Sequence, residues 1–465
     1  MSGPLLYAEL LPNIRQITLH VSLPDSSSLA QSPITSDSPA NLTSGKYSLS
    51  LLPSRHAVSL SSQDTVRTLN LPARVSESAH TILATQPTPT PSSAGHSELL
   101  FRLPVDVETG LLGVSRPTNG RSGDDNKEVQ IPWTAKDMCA ETRVRCRQCK
   151  SILFIPPQKG EVVWKDLPSI DWAEMMDLWH CHKPDTHADD HGDAADGTGL
   201  HAHDKNETVK GYGAANQVVC SSGTVLIDVL SFVMAEDDCQ GLKKSKFSPL
   251  SAPLDIGSGD QHTNESKPQP VVDLSCSRCG AIVGEEYAPL SGLRLNKANV
   301  SLLRRPKDGI NSDDDVWETY SVDMIVGTQL LELVERIGAR RFAVHSTEYQ
   351  GASSRDNKSG LLLWVFNPDL RYSSSPSDFS ADENASITSQ RAMKIFYQEV
   401  PDIQSMLNPA QGAPSPTALE DVSLPPNIYD GMKQALERSS ETLPISARQF
   451  REWRVGLFSR FEETG

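Results

Sequence analysis

CRQCKSILF (residues 146–154) and CSRCGAIVGE (residues 276–285) decide how this chain is read. Each opens on a CxxC knuckle, a tight turn that aims two thiolates at one point. A structural zinc ion takes four ligands tetrahedrally, so two knuckles complete one four-thiolate sphere. Gly280, directly after the second pair, suits a turn that requires positive φ. Between Cys149 and Cys276 lie 126 residues, so a shared ion requires the fold to bring distant segments together. Three readings stay open on spacing alone. One ion is held by Cys146, Cys149, Cys276 and Cys279; two half-sites are completed by other ligands; or the thiols carry no metal. Neither pair opens a helix in a βαβ pattern, the usual setting of a redox CxxC. The arginines at 145, 147 and 278 are placed to offset the charge of a metal tetrathiolate.

Outward from the knuckles, residues 136–290 hold all eight cysteines of the chain. This zinc-binding region contains a His/Asp-rich loop (185–204), read as a solvated loop, and a Ser/Gly/Pro-rich loop (247–270). Before it, residues 1–135 carry short alternating segments at 15–23, 46–52, 55–62, 66–75 and 98–107, separated by polar connectors. That pattern predicts an antiparallel β-sandwich-like domain, with disordered inserts at 24–45 and 85–97. After the cysteine region, residues 316–400 read as a mixed α/β unit. SVDMIVGTQLLELVERIGA has the 3.6-residue spacing of a helix closed by Gly338. The continuous apolar run at 361–366 predicts a central strand. Residues 401–426 read as a Pro-rich linker and 427–465 as a tail with a short helix and a terminal apolar segment. The fold class expected overall is α+β.

The chain has 465 residues and a formal net charge of -16. That field repels a phosphate backbone, so the expectation is protein partners and no direct nucleic acid. The start MSGPLLYAELL lacks the basic-then-apolar plan of a signal peptide, and no run of about 18 apolar residues occurs. A cytoplasmic or nuclear protein with no membrane partner is expected, with its cysteines reduced or metal-bound.

DWAEMMDLWHCHKP (171–184) is the other distinctive stretch. Trp172, Met175, Met176 and Trp179 share one helical face and read as core. His180-Cys181-His182 falls where Pro184 ends that helix. A helix C-terminus carries partial negative charge, which favours a cation and raises a thiol's pKa. Cys181 is therefore open as packing, as a metal- or partner-facing thiol together with His180 and His182, or as a catalytic nucleophile, with the first two favoured.

CRQCKSILF, LPSIDWAEMMDLWHCHKP (167–184), CSRCGAIVGE, LLLWVFNPDLRY (361–372) and MKIFYQE (393–399), in that order, resemble the HECT-like family of ubiquitin-conjugating-enzyme (E2)-binding proteins. The resemblance runs over most of residues 10–400. It implies E3 ubiquitin-protein ligase activity, with a ubiquitin-charged conjugating enzyme and ubiquitin as partners. It also implies a link to the metal-dependent endonuclease subunit of the mRNA 3′-end cleavage and polyadenylation machinery, as a binding and stabilising partner. In that setting Cys181, beside His182, is the residue that would approach the nuclease metal. The resemblance places Cys146, Cys149, Cys276 and Cys279 in the zinc site. HECT ligases carry ubiquitin on a C-terminal cysteine, yet no cysteine follows Cys279 here. A scaffold mechanism needs none.

Overall fold

Strand alternation is visible directly in Gln16–Pro24, where Ile17, Leu19 and Val21 are buried on one side and Gln16, Thr18 and His20 face the other. The computed structural model describes residues 4–24, 47–61, 66–85, 90–91, 96–106, 129–156, 162–167, 220–246, 272–287, 290–303, 316–347, 359–375, 389–408 and 419–462. These residues are rich in strand and contain few helices. Two compact units divide the chain: Met1–Gln130 with Ser321–Gly465, and Ile131–Tyr320.

The first unit is built from both ends of the sequence. Its main sheet has ten strands. Gly360–Ser374 lies near its middle, with Gln390–Val400 and then Trp453–Ser459 on one side and Leu5–Leu11, Gln16–Pro24 and His96–Pro104 on the other. Leu5–Leu11 pairs antiparallel with both Gln16–Pro24 and Gly360–Ser374. The N-terminal β-segment and the C-terminal unit, expected as separate bodies, thus share one sheet. The physical reason is that Leu5–Leu11 is buried on both faces. Leu6, Ala8 and Leu10 enter a core with Val58, Leu60 and Leu69 of a separate three-stranded sheet, while Tyr7 enters another with Leu370, Phe396 and Leu457. Two stretches depart from expectation. Thr90–Pro91, inside the insert expected at 85–97, is a short strand on His96–Pro104. Within 401–426, expected to be a linker, Ile403–Leu407 is a helix and Leu419–Leu424 runs parallel to Arg341–Ser346, burying Val422 and Leu424.

The helix Val322–Ile337 buries Ile325, Val326, Leu330, Leu331, Leu333 and Val334, whereas Ile337 is exposed. Gly338 ends it in the left-handed region at φ 72°, its N–H bonded to the Val334 carbonyl. A second helix, Pro426–Glu441, is longer than the short helix expected in the tail, and Trp453–Ser459 follows as a strand. The run at 361–366 is central but not evenly two-sided. Leu361, Leu363 and Val365 are fully buried, while Phe366 on the other face is 49% exposed.

The second unit holds a seven-stranded and a four-stranded sheet. Both contribute to one core that includes Val144, Phe154, Val225, Phe232, Leu274, Leu295 and Val300. It extends past the expected boundary at 290, because Gly292–Asn296 pairs with Ile282–Tyr287 and Val300–Leu303 pairs with Arg143–Cys146. Among the described residues no helix is long and apolar enough to cross a membrane.

Candidate metal centre

Each CxxC knuckle caps an antiparallel hairpin. Arg143–Cys146 turns into Ile152–Phe154, and Val272–Cys276 turns into Ile282–Tyr287. The two turns match bond for bond. Cys146 N–H donates to the Ser151 carbonyl and Lys150 N–H to the Cys146 carbonyl. In the second turn, Cys276 N–H donates to Ala281 and Gly280 N–H to Cys276. The residue after each second cysteine sits at positive φ, 64° at Lys150 and 74° at Gly280. Glycine marked this position in one knuckle; its equivalent, Lys150, carries no such signal in the sequence.

Two connections close the distance between the knuckles. The strand pair Gly292–Asn296 and Val300–Leu303, joined by the turn Lys297–Asn299, passes from the second hairpin to the first. Separately, Gln240 N–H donates to the Leu153 carbonyl, while Ser277 N–H donates to Gly241 just before Leu242–Lys246 pairs with the second hairpin. The segment 240–246 therefore touches both.

The result is a four-sulfur cluster. Cys146, Cys149, Cys276 and Cys279 place their Sγ atoms within 4.8 Å of one another. Cys146 Sγ lies 3.7 Å from Cys279 Sγ, and Cys149 Sγ 3.5 Å from Cys276 Sγ. A tetrahedron with metal–sulfur bonds of about 2.3 Å has edges of about 3.8 Å, whereas a disulfide needs about 2.05 Å. The spacing fits a shared soft four-coordinate ion such as zinc and excludes disulfides between these sulfurs as they stand. Cys146 and Cys276 form the buried side, and Cys279 faces solvent. Burial pushes the Cys146 thiol up to about 12, while the Ser151 hydroxyl, 3.3 Å from Cys149 Sγ, and the Ser151 amide hold Cys149 down to about 6. A bound cation would favour the thiolate at all four.

Two of the three arginines expected to offset the cluster's charge make specific contacts of their own. Arg145 stacks on the Trp317 ring at 3.9 Å, and Arg147 Nη1 donates to the Ala298 and Tyr320 carbonyls. The three remaining described thiols are packed or locally bonded. Burial, then Asp238 and Glu236, push Cys239 up to about 12, and burial also raises Cys220. Cys139 shares Thr142 Oγ1 through both its N–H and its Sγ. His180, Cys181 and His182, with the helix read at 172–179 and the loop at 185–204, lie outside the described residues.

Comparison with known proteins gives the family. Residues 9–455 match the HECT-like ubiquitin-conjugating enzyme (E2)-binding family, nearly the whole chain. The chain belongs to this HECT-like E2-binding family. Its description ties members to ubiquitin-conjugating enzymes, and so to the ubiquitin pathway. Within that setting, an uncharacterized protein of Schizosaccharomyces pombe is 25% identical over 345 residues, covering 72% of this chain and 79% of its own. An uncharacterized protein of Saccharomyces cerevisiae is 21% identical over 344 residues, covering 72% and 75%. No solved structure matches.

Proposed function

We propose that this HECT-like protein is an E3 ubiquitin-protein ligase of scaffold type, which binds a ubiquitin-charged conjugating enzyme and promotes transfer to substrate lysines. The observation that carries the reading is the family match over residues 9–455, whose description names E2 binding. On this reading the substrate's neutral lysine amine attacks the thioester carbonyl on the conjugating enzyme. The C–N isopeptide bond forms, the C–S bond breaks, the enzyme's thiolate leaves and the amine proton passes to solvent. The scaffold's part is to bind and orient. Support for a scaffold over a thioester relay comes from Cys220 and Cys239, whose raised pKa values oppose the thiolate that transthiolation needs. Zinc at the four-cysteine cluster is proposed as the structural ion of this fold.

A single-turnover discharge assay tests the proposal. Charged conjugating enzyme should lose ubiquitin to free lysine several-fold faster with the protein present. No acceleration across a panel of conjugating enzymes refutes it. A reducible ubiquitin adduct on this chain, lost in Cys181→Ala, would replace the scaffold with a relay.

A further inference from the structure

Five aromatic side chains form one continuous cluster on a face of the ten-stranded sheet. Phe366 and Phe396 stack at 4.6 Å with planes 8° apart, and Phe396 and Phe450 stack at 5.4 Å. Trp364 joins Phe366, Phe396 and Trp453 edge-on at 5.4–6.0 Å. The inner part is core, since Phe396 is 4% exposed and packs in a cluster with Leu443, Val455 and Leu457. The outer part is open, with Phe366 49% and Phe450 47% exposed.

The backbone holds both outer rings by departures from regular pairing. Val365 pairs with Ile395 and Asn367 with Lys394, so Phe366 is the extra residue of a bulge. Phe450 belongs to a two-residue edge strand, closed on Trp453 by a turn in which Arg451 takes φ 55°. An edge strand is ordinarily blunted by charge, and a left-handed arginine is locally unfavourable. Stability gains nothing from exposing phenylalanine at these two places. Contiguous exposed aromatics on a rigid sheet are the usual composition of an interface centre.

The rim of the patch is basic although the chain as a whole is acidic, at -16. The Arg341 guanidinium lies 5.4 Å from the Trp364 ring centre and that of Arg451 5.5 Å from Phe450, both within cation–π range. Arg340 is exposed next to Arg341, and Glu452 is the acid in the turn. From this juxtaposition we infer that the Phe366–Phe450 face docks a protein partner presenting an aliphatic or aromatic side chain beside carboxylates. Resting on the family reading, that partner is the ubiquitin-conjugating enzyme. Aromatic rings with arginines also suit single-stranded nucleic acid, but two or three cations on a chain of charge -16 give weak purchase on a polyanion.

The test uses the full chain and a panel of purified ubiquitin-conjugating enzymes in biolayer interferometry. Variants are Phe366→Ser/Phe450→Ser, Arg451→Glu, and Ile282→Ser as a control exposed residue on the other unit. Melting curves and metal content check folding. The double variant should weaken binding at least tenfold and Arg451→Glu several-fold, with a shallower salt dependence, while Ile282→Ser leaves affinity unchanged. Wild-type binding with undiminished affinity in both face variants overturns this docking surface and leaves the family reading standing. If the wild type binds no member of the panel, the E2-binding reading fails and the inference with it. Loss of poly(U) binding or of self-association in the face variants, with E2 affinity intact, assigns the face to RNA or to a second copy and equally overturns it.

Discussion

Substituting Cys276 by serine should disconnect the two knuckles. Cys276 is 1% exposed and lies against Cys149, so a serine hydroxyl there is a poor, buried replacement for a thiolate. A shared ion would link segments separated by 126 residues. Treated as a cross-link on the unfolded chain, a loop of that length is worth about 5 kcal/mol. For a unit of this size, about 5 kcal/mol corresponds to a fall in Tm of about 10–20 °C. Metal analysis of the purified wild type should give one equivalent of zinc per chain, since two separate half-sites would give two. Cys276→Ser should lose it and melt at the temperature of the chelator-treated wild type. Cys279→Ser should behave differently, because Cys279 faces solvent and water can take the fourth position. It should keep the ion but release it faster to a chelator. Wild-type protein purified under reducing conditions without metal, or Cys276→Ser with wild-type zinc and Tm, refutes the shared-ion argument.

In the first unit, Lys394 Nζ lies 2.7 and 2.9 Å from the two oxygens of buried Glu9, which also accepts from the Tyr7 hydroxyl. Lys394→Ala should cost about 3–5 kcal/mol in urea unfolding by stranding that carboxylate; a loss below 1 kcal/mol refutes the burial argument. In the second unit, Lys297 is fully buried, donates to the Pro132 carbonyl, and is pushed down to about 7 by desolvation. A base with a depressed folded pKa binds fewer protons folded than unfolded, so stability rises with pH between about 7 and the ordinary lysine value. Lys297→Met should flatten that rise in melts from pH 7 to 10, and an unchanged slope refutes the assignment. Finally, residues 321–465 expressed alone should fail to show a cooperative melt and should be rescued by co-expression with residues 1–130. Leu5–Leu11 supplies both a sheet neighbour and Tyr7 to their core; a cooperative melt of 321–465 alone would show that strand to be dispensable.

What the sequence disclosed follows from the range of the forces involved. The knuckles were legible because ligand spacing within a turn is local, and the helix at 322–337 because one face buries and Gly338 closes it. The partner of Gly360–Ser374 was not legible, because no local pattern says that Leu5–Leu11 lies beside it. Leu5–Leu11 was itself hard to see, since burial of Leu6 and Tyr7 on opposite faces removes the polar alternation that marks a strand. Prolines made 401–426 look like a linker, although Val422 and Leu424 alternate as core residues of a strand. Phe366 falls in the run read as a central strand, and only the bulge shows it to be outside; no local pattern marks Phe450 as exposed on its edge turn.

The thiols give the reading of mechanism its physical basis. A relay cysteine must reach a thioester as a thiolate near neutral pH, so it needs exposure and a positive or hydrogen-bonding environment. Of the four cluster cysteines, Cys149 does have such partners in the Ser151 hydroxyl and amide, which hold it down to about 6, but a bound metal would occupy its lone pairs and those of the other three. Cys239 is pushed up to about 12 behind its own acidic turn. Cys220 packs against Gly292, where a Cβ would come within 2.5 Å of its sulfur, so the glycine exists to seat it. Cys139 is tied to Thr142 in a turn. Cys139, Cys220 and Cys239 thus each have a local structural use, and the four cluster thiols would be spent on a shared ion. On the proposed scaffold reading, the described thiols serve the fold's own architecture, and the exposed Phe366–Phe450 face is where a charged conjugating enzyme would be held.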